Sequence, residues 1–398
     1  MNLSSWQKSL ICIPHRGGMC VLMRVNRVPV KNLSRSAFAW LATALAMFSV
    51  QPASAEVVRN DSAQLEGLHN RRVYEWKDSE VKPKAVAIAV HGLVMHGAVY
   101  DKMARELVSQ GFVVIAPDLR GYGRWCPAHQ ARDKNGCTVS LDNATAVPVE
   151  GLPDEVRAAN CSDCDTALVR SSKVSYKHSY GDLKELTRAV KNHYPALPLY
   201  VIGESLGAGL ALHLGADLPG TIDGLVLSSP AIKRRHYMEP RMVVDLTVMM
   251  FKPKKTIDLV PYIKRFASED PSIIKTAIED PLVRKKLTVF DLLRTSQLIK
   301  SNIKHAERVS ETMPVLVIQG DRDRMLNSNG VVVLLDHLKS RDQTVKWFPG
   351  KGHLLLETPH IEPATMETVS TWLADHVNTI QETKTSAMHM EINTDGMN

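Results

Sequence analysis

Ser205 stands between two glycines in Gly203-Glu204-Ser205-Leu206-Gly207. The apolar stretch Leu199 to Ile202 before it reads as a buried strand, and Leu206 to Leu214 after it reads as a helix. A serine on so sharp a strand-to-helix turn needs small residues on both sides, and the turn lifts its hydroxyl above the sheet. The N-terminus of the helix beneath it favours developing negative charge. A bare Gly-rich turn also arises where a strand packs closely on a helix, so the serine needs partners elsewhere in the chain. Gly352-His353 follows the strand Val345 to Phe348 and makes His353 the expected general base. His91, His178 and His213 lack that placement. Gln319-Gly320-Asp321-Arg322-Asp323-Arg324 follows the strand Val315 to Ile318 and offers two aspartates. Spacing from Gly320 favours Asp323 as the acid that accepts the imidazole N–H, with Asp321 as a turn or cap residue.

Attack by Ser205 on an acyl carbon creates an oxyanion, which needs two backbone donors. One is expected from the N–H of Leu206, directly after the nucleophile. The other is expected from the N–H of Leu93, in the loop His91-Gly92-Leu93 after the apolar run Ala85 to Val90. The side chains of His91 and His96 are expected to shape that loop rather than react. The resulting chemistry is a two-step acyl transfer through a covalent intermediate, with no metal or organic cofactor required.

These residues must be placed by a framework, and the pattern supplies one. Ala85 to Val90 and Phe112 to Ala116 are continuous apolar runs, as strands buried on both faces are. Helical spacing over Tyr100 to Gln110, Tyr180 to His193, Val331 to Leu338 and Ile361 to Val377 alternates with strands at Arg72 to Trp76, Ile222 to Leu227 and those already named. Such alternation predicts an α/β fold with a mostly parallel central sheet and helices on both faces, its site at the carboxyl ends of the strands. The predicted core falls in two parts, 56–230 and 313–380. A polar insertion at 124–177 interrupts the first part, a helical insertion at 231–312 forms a cap, and a polar tail at 381–398 is expected to be disordered.

The charge of +7 is concentrated at the start of the 398-residue chain. Lys8, Arg16, Arg24, Arg27, Lys31 and Arg35 face no acid before residue 56, and the rest carries about +1. Bulk charge thus gives no ground for a nucleic-acid partner. The basic stretch, the apolar run Ala37 to Val50 and the small residues ending at Ala55 read as a signal peptide over 1–55. Export to a periplasmic or extracellular compartment follows from it, and the run is short for a bilayer span. Cys126, Cys137, Cys161 and Cys164 remain beyond the leader, and in an oxidising compartment they read as two disulfides with three possible pairings. A zinc site is the weaker alternative, because the second C-x-x-C is missing.

His91-Gly92, the loop Asp118-Leu119-Arg120-Gly121-Tyr122-Gly123, the Ser205 turn, Asp323 and Gly352-His353 come in the order of the α/β-hydrolase superfamily. Within it the chain resembles the monoacylglycerol lipase and lysophospholipase group, also described as serine aminopeptidase-like hydrolases. Asp280-Pro281-Leu282 and the stretch Pro314 to Glu357 carry the same likeness. The resemblance implies a Ser205, Asp323 and His353 triad with oxyanion donors at Leu93 and Leu206. It also implies an acyl ester or lipid substrate. This chain departs from the group at Glu204, where the group usually has His, and in the cysteine insertion. A carboxylate there is expected to alter a neighbouring pKa or to bind a substrate cation, which makes Glu204 a candidate substrate-binding residue. From Lys233 to Arg265 nine Lys or Arg face three acids around the apolar run Val243 to Phe251. A basic, apolar cap suits an acyl chain drawn from an anionic lipid surface, with peripheral membrane contact through the cap. The rivals are a peptidase or amidase on the same scaffold, with Glu204 meeting an amino group, and a binding protein with a dead triad.

Overall fold

The computed structural model describes residues 57–63, 65, 73–124, 174–233 and 256–395, together with 10–14 and 20–24. Met1–Ser54 and Ala55–Asn398 form two units. In the first, Leu10–Pro14 and Cys20–Arg24 pair as an antiparallel hairpin. The expected leader run Ala37 to Val50, the four cysteines and the cap run Val243 to Phe251 lie outside the described residues.

The second unit is built on one eight-stranded sheet. Its strands in chain order are β1 (Val57–Ala63), β2 (Val73–Asp78), β3 (Ala85–Val90), β4 (Phe112–Pro117), β5 (Leu199–Glu204), β6 (Gly224–Ser228), β7 (Val315–Gly320) and β8 (Gln343–Phe348). Across the sheet the order is β8-β7-β6-β5-β3-β4-β2-β1, with β1 and β2 antiparallel to their neighbours and the other pairings parallel. The apolar runs are continuous because both faces are covered. Val86, Ile88 and Val90 of β3 enter one core layer, and Ala85, Ala87 and Ala89 enter the other. Val315 and Val317 of β7 divide from Leu316 and Ile318 in the same way. That division is the two-residue period of a strand acting inside a sandwich of helices.

The covering helices are α1 (Asp101–Ser109), α2 (Tyr176–His193), α3 (Leu206–Asp217), α4 (Val260–Phe266), α5 (Pro271–Glu279), α6 (Val289–Ala306), α7 (Asn329–His337) and α8 (Pro363–Asp395). α3 is buried along nearly its whole length, so its sequence is apolar all round rather than striped. Helix α6 of the cap lies against it, where Asn302 donates to the carbonyl of Ala231 at 2.7 Å. Thr288 caps α6 reciprocally with Asp291.

Three expectations need correction. The first strand of the sheet is β1, a polar VVRNDSA edge segment whose pattern carries no strand signal, ahead of the strand expected at Arg72. The cap is not wholly helical, because Thr256–Asp258 and Lys286–Thr288 pair as a short antiparallel ribbon. The tail expected to be disordered from 381 is helical as far as Asp395. Glu382, Lys384, Ala387, Met388 and Glu391 are good helix formers that extend α8 once packing of Val369, Leu373 and Val377 has nucleated it.

Candidate active site

The strand registers bring five loops to one edge of the sheet. Val90 lies opposite Gly203, Glu204 opposite Ser228, Ile318 opposite Ser228, and Gly320 opposite Phe348. The loops after these strand ends carry Leu93, Ser205, Ser229, Asp323 and His353.

Ser205 is the N-cap of α3 and has φ 56° and ψ −114°, a strained conformation for a residue with a side chain. Close packing forces the glycines beside it. A Cβ on Gly203 would lie 2.4 Å from the carbonyl of Gly207, and a Cβ on Gly207 would lie 1.9 Å from the carbonyl oxygen of Val90. The Ser205 amide donates to Ser228 at 2.9 Å, and its carbonyl accepts from Ala231 at 3.1 Å. The main chain is therefore held on both sides while Leu206 opens α3, where a helix leaves its first amides free.

Of the two aspartates, Asp323 is the one bonded to His353, with 2.8 Å between Oδ2 and Nδ1. Gln319 donates to the same oxygen at 3.0 Å, and the amides of Met325 and Leu326 donate to Oδ1 at 2.8 and 2.9 Å. Burial pushes the Asp323 carboxyl up, but His353 and these donors outweigh it and hold it below the ordinary value. Burial pulls the His353 imidazole down, yet the Asp323 charge and hydrogen bond raise it above the ordinary histidine value, helped by Glu204. Nδ1 is thus committed as a donor and Nε2 is left as a base. Asp321 is exposed and accepts from the Gly350 amide at 2.6 Å, which shapes the turn before His353. Ser229 donates through its hydroxyl to the His353 carbonyl at 2.8 Å, which ties the histidine loop to the strand next to the nucleophile.

Leu93 lies in a turn closed by Met95 N–H to Gly92 carbonyl at 3.3 Å, and Val94 adopts φ 68°. A β-branched residue there is strained and must be held by its surroundings. The Val94 carbonyl accepts from the Arg284 amide at 2.9 Å, and His96 Nε2 pairs with Asp280 at 2.8 Å, so the cap segment grips the turn. Asp118 accepts from the Gly97 amide at 2.7 Å and fixes its far end. Buried His91 accepts from the Leu119 amide at 2.9 Å through Nε2 and faces the Gly92 carbonyl through Nδ1. Burial holds its pKa down at about 4, so it is a neutral spacer.

Glu204 is not placed to bind substrate. It is fully buried, and its carboxylate accepts from the Ser228 hydroxyl and from the amides of Leu355, Leu356 and Glu357. It holds the main chain just after His353. Sequence reasoning also missed Glu357, which accepts from the Gly92 amide at 2.5 Å. Its only signal is an acid ending the apolar run Leu354-Leu355-Leu356. Among the described residues no cluster of His, Cys, Asp or Glu is arranged to hold a metal, and no helix is long and apolar enough to cross a membrane.

Comparisons with known proteins bear on the family and the fold. Residues 81–139 and 169–360 match the family model described as Hydrolase_4, serine aminopeptidase, S33. The monoacylglycerol lipase of Mycolicibacterium smegmatis is 25% identical over 308 residues, covering 77% of this chain and 94% of that protein. The monoglyceride lipase of Homo sapiens is 24% identical over 309 residues, covering 76% and 86%. Among solved structures, Paleococcus ferrophilus monoacylglycerol lipase superposes with a TM-score of 0.54 at 21% identity, covering 77% of this chain and 99% of that one. A soluble variant of Saccharomyces cerevisiae monoglyceride lipase with a substrate analogue gives 0.59 at 16% identity, covering 82% and 98%. At these identities the structural likeness speaks to the α/β-hydrolase fold alone. The family match spans more than half of the chain and includes every loop described above, and by that measure this protein belongs to the serine aminopeptidase S33 family of α/β-hydrolases.

Proposed function

We propose that this protein is a serine hydrolase of carboxylic esters that works through an acyl-enzyme, with lipid-derived monoesters as its substrates. The observation that carries the reading is the Asp323–His353 hydrogen bond, formed at the sheet edge from which the strained Ser205 turn projects. His353 Nε2 takes the Ser205 proton as the hydroxyl attacks the acyl carbon. The oxyanion develops against the amides of Leu93 and Leu206, and Asp323 stabilises the imidazolium. His353 returns its proton to the leaving alcohol, and water then hydrolyses the acyl-enzyme with His353 again as base. No step calls for a metal or organic cofactor.

The named lipases among the relatives support a monoacylglycerol substrate, and a lysophospholipid is a chemically close second. On the cap, Phe290 and Leu293 stand three residues apart on α6 and are 49% and 53% exposed. With the basic residues from Lys233 to Arg265 they suit peripheral contact with an anionic lipid surface. The proposal also keeps the leader over 1–55, which would place the enzyme in the periplasm or outside the cell with its four cysteines in two disulfides. The peptidase alternative drew on Glu204 as a contact for a substrate ammonium, and its burial removes that support.

A fluorophosphonate probe is expected to label the protein, and Ser205→Ala to abolish both labelling and turnover of p-nitrophenyl esters in a folded protein. Retained turnover discards the nucleophile. Activity on aminoacyl naphthylamides above that on monoacylglycerols would replace the esterase reading with the peptidase one.

A further inference from the structure

Two buried carboxyl groups lie behind the catalytic loops, and no step of the hydrolysis uses them. Glu204 is 0% exposed and Glu357 is 2% exposed. The Glu204 oxygens are filled with donors: Ser228 Oγ at 2.5 Å and the Leu355 amide at 2.8 Å on Oε1, the Glu357 amide at 2.8 Å on Oε2, and the Leu356 amide at 3.2 Å from each. An ionised carboxylate accepts about four hydrogen bonds. Four donors therefore occupy it, and no lone pair is left to carry a proton of its own.

Glu357 is the opposite case. Its Oε1 accepts from the Gly92 amide at 2.5 Å and lies 3.0 Å from Tyr100 Oη. Its Oε2 is buried with no partner. Tyr100 Oη also lies 2.9 Å from the Val90 carbonyl, which can only accept. One phenolic proton serves one of these two acceptors. When it goes to Val90, the contact with Glu357 is a hydrogen bond if Glu357 brings the proton. Electrostatics point the same way, since a second negative charge in one desolvated pocket is costly. Burial, and then the Glu204 charge, hold the Glu357 carboxyl well above its ordinary range. Burial raises Glu204 above its ordinary range too, but its donors and the nearby imidazole oppose that, as they do not for Glu357, so the proton falls to Glu357 on the geometry.

We propose that Glu204 and Glu357 form a positioning pair with a single proton, which Glu357 carries. Neutral Glu357 holds the Gly92 amide at the foot of the oxyanion turn. Ionised Glu204 holds the main chain after His353 and stands as a second anion behind the imidazole. The pair thus links the two loops that must act together, and it rests on the serine hydrolase reading above. The groups that face it are Tyr100 from the turn before α1, Ser228 from the end of β6, and His353, with Asp323 beyond it.

The test is an infrared spectrum of the full-length protein at pH 7, with pH profiles of kcat/KM on p-nitrophenyl butyrate. The spectrum is expected to show the carbonyl band of an un-ionised carboxylic acid, and Glu357→Gln to remove it. Glu357→Gln is expected within about tenfold of the parent kcat, whereas Glu357→Ala loses on the order of 10²-fold in kcat with little change in KM. Glu204→Gln is expected to lower the apparent pKa of the acid limb by about one unit, because a negative charge near the imidazole is lost. Absence of the band in the unmodified protein overturns the pair, even if neither substitution folds. So does an unmoved acid limb in folded Glu204→Gln, or equal damage from Gln and Ala at 357. The band does not depend on turnover, so the pair can fail while Ser205 still labels with fluorophosphonate, and the reverse.

Discussion

At the scale of single residues, the chemistry depends on one imidazole held in one tautomer. Asp323 fixes Nδ1 as a donor and raises the pKa of His353 above its ordinary value of 6.5 against the effect of burial. The base works only when unprotonated, so kcat/KM is expected to fall as pH drops through a value above 6.5. Asn at 323 keeps the burial and loses the charge. Asp323→Asn should move that limb to lower pH and cost on the order of 10⁴ in kcat by favouring the wrong tautomer. A pH–rate profile of the variant checks both, and a limb that stays in place would mean that Asp323 does not set the basicity. The residue scale is also where reading by type alone failed. Glu204, standing where the resembling group usually has His, offered two readings: an altered neighbouring pKa, which His353 shows, and a contact for a substrate cation, which its burial opposes. Its direction was not in the sequence, and four donors from two distant parts of the chain, Ser228 and the run Leu355 to Glu357, turn it inward.

At the scale of elements, the turn from β5 into α3 works because backbone meets backbone there. A methyl on Gly207 would press on the Val90 carbonyl at 1.9 Å, and neither partner is a flexible side chain. Gly207→Ala is expected to destabilise by about 3 kcal/mol or more and to abolish esterase activity. Gly181, inside α2, has nothing within 4 Å of an added Cβ. Gly181→Ala should stabilise by about 0.5–1 kcal/mol through helix propensity and leave activity intact. Urea denaturation of the two variants gives opposite signs if the contacts are as described. Much of the element plan was legible for a simple reason. Strands covered on both faces must be apolar along their covered length, as Ala85–Val90 and the first four residues of Val315–Gly320 are. The edge strand Val57–Ala63 was not legible, because an edge exposed to water imposes no such pattern.

At the scale of the whole molecule, the described part of the cap helps to hold the site. Arg284, 8% exposed, donates to the Gly121 carbonyl at 2.6 Å and to Lys286 at 3.1 Å, while its amide secures Val94. Arg284→Ala leaves a buried carbonyl short of a donor and should cost about 1–3 kcal/mol. Because the same segment grips the oxyanion turn, kcat should fall more than KM rises. Steady-state kinetics and urea denaturation of that variant measure both; a pure KM effect would make the cap a substrate wall only.

Taken alone, the sequence pointed to the reaction class and nominated Ser205, Asp323 and His353 as its serine, acid and base. Local rules govern each of these: glycines flank a sharp turn, apolar runs mark buried strands, and the loops after those strands carry the reactive groups. The tertiary structure alone decided what surrounds them. Glu204 faces the loop after His353, Glu357 secures Gly92, and Arg284 and Asp280 reach the Leu93 turn from the cap. These contacts join residues as far as 265 positions apart. The direction of a buried polar side chain is set by whichever distant donors the fold brings to it, and no local pattern encodes that.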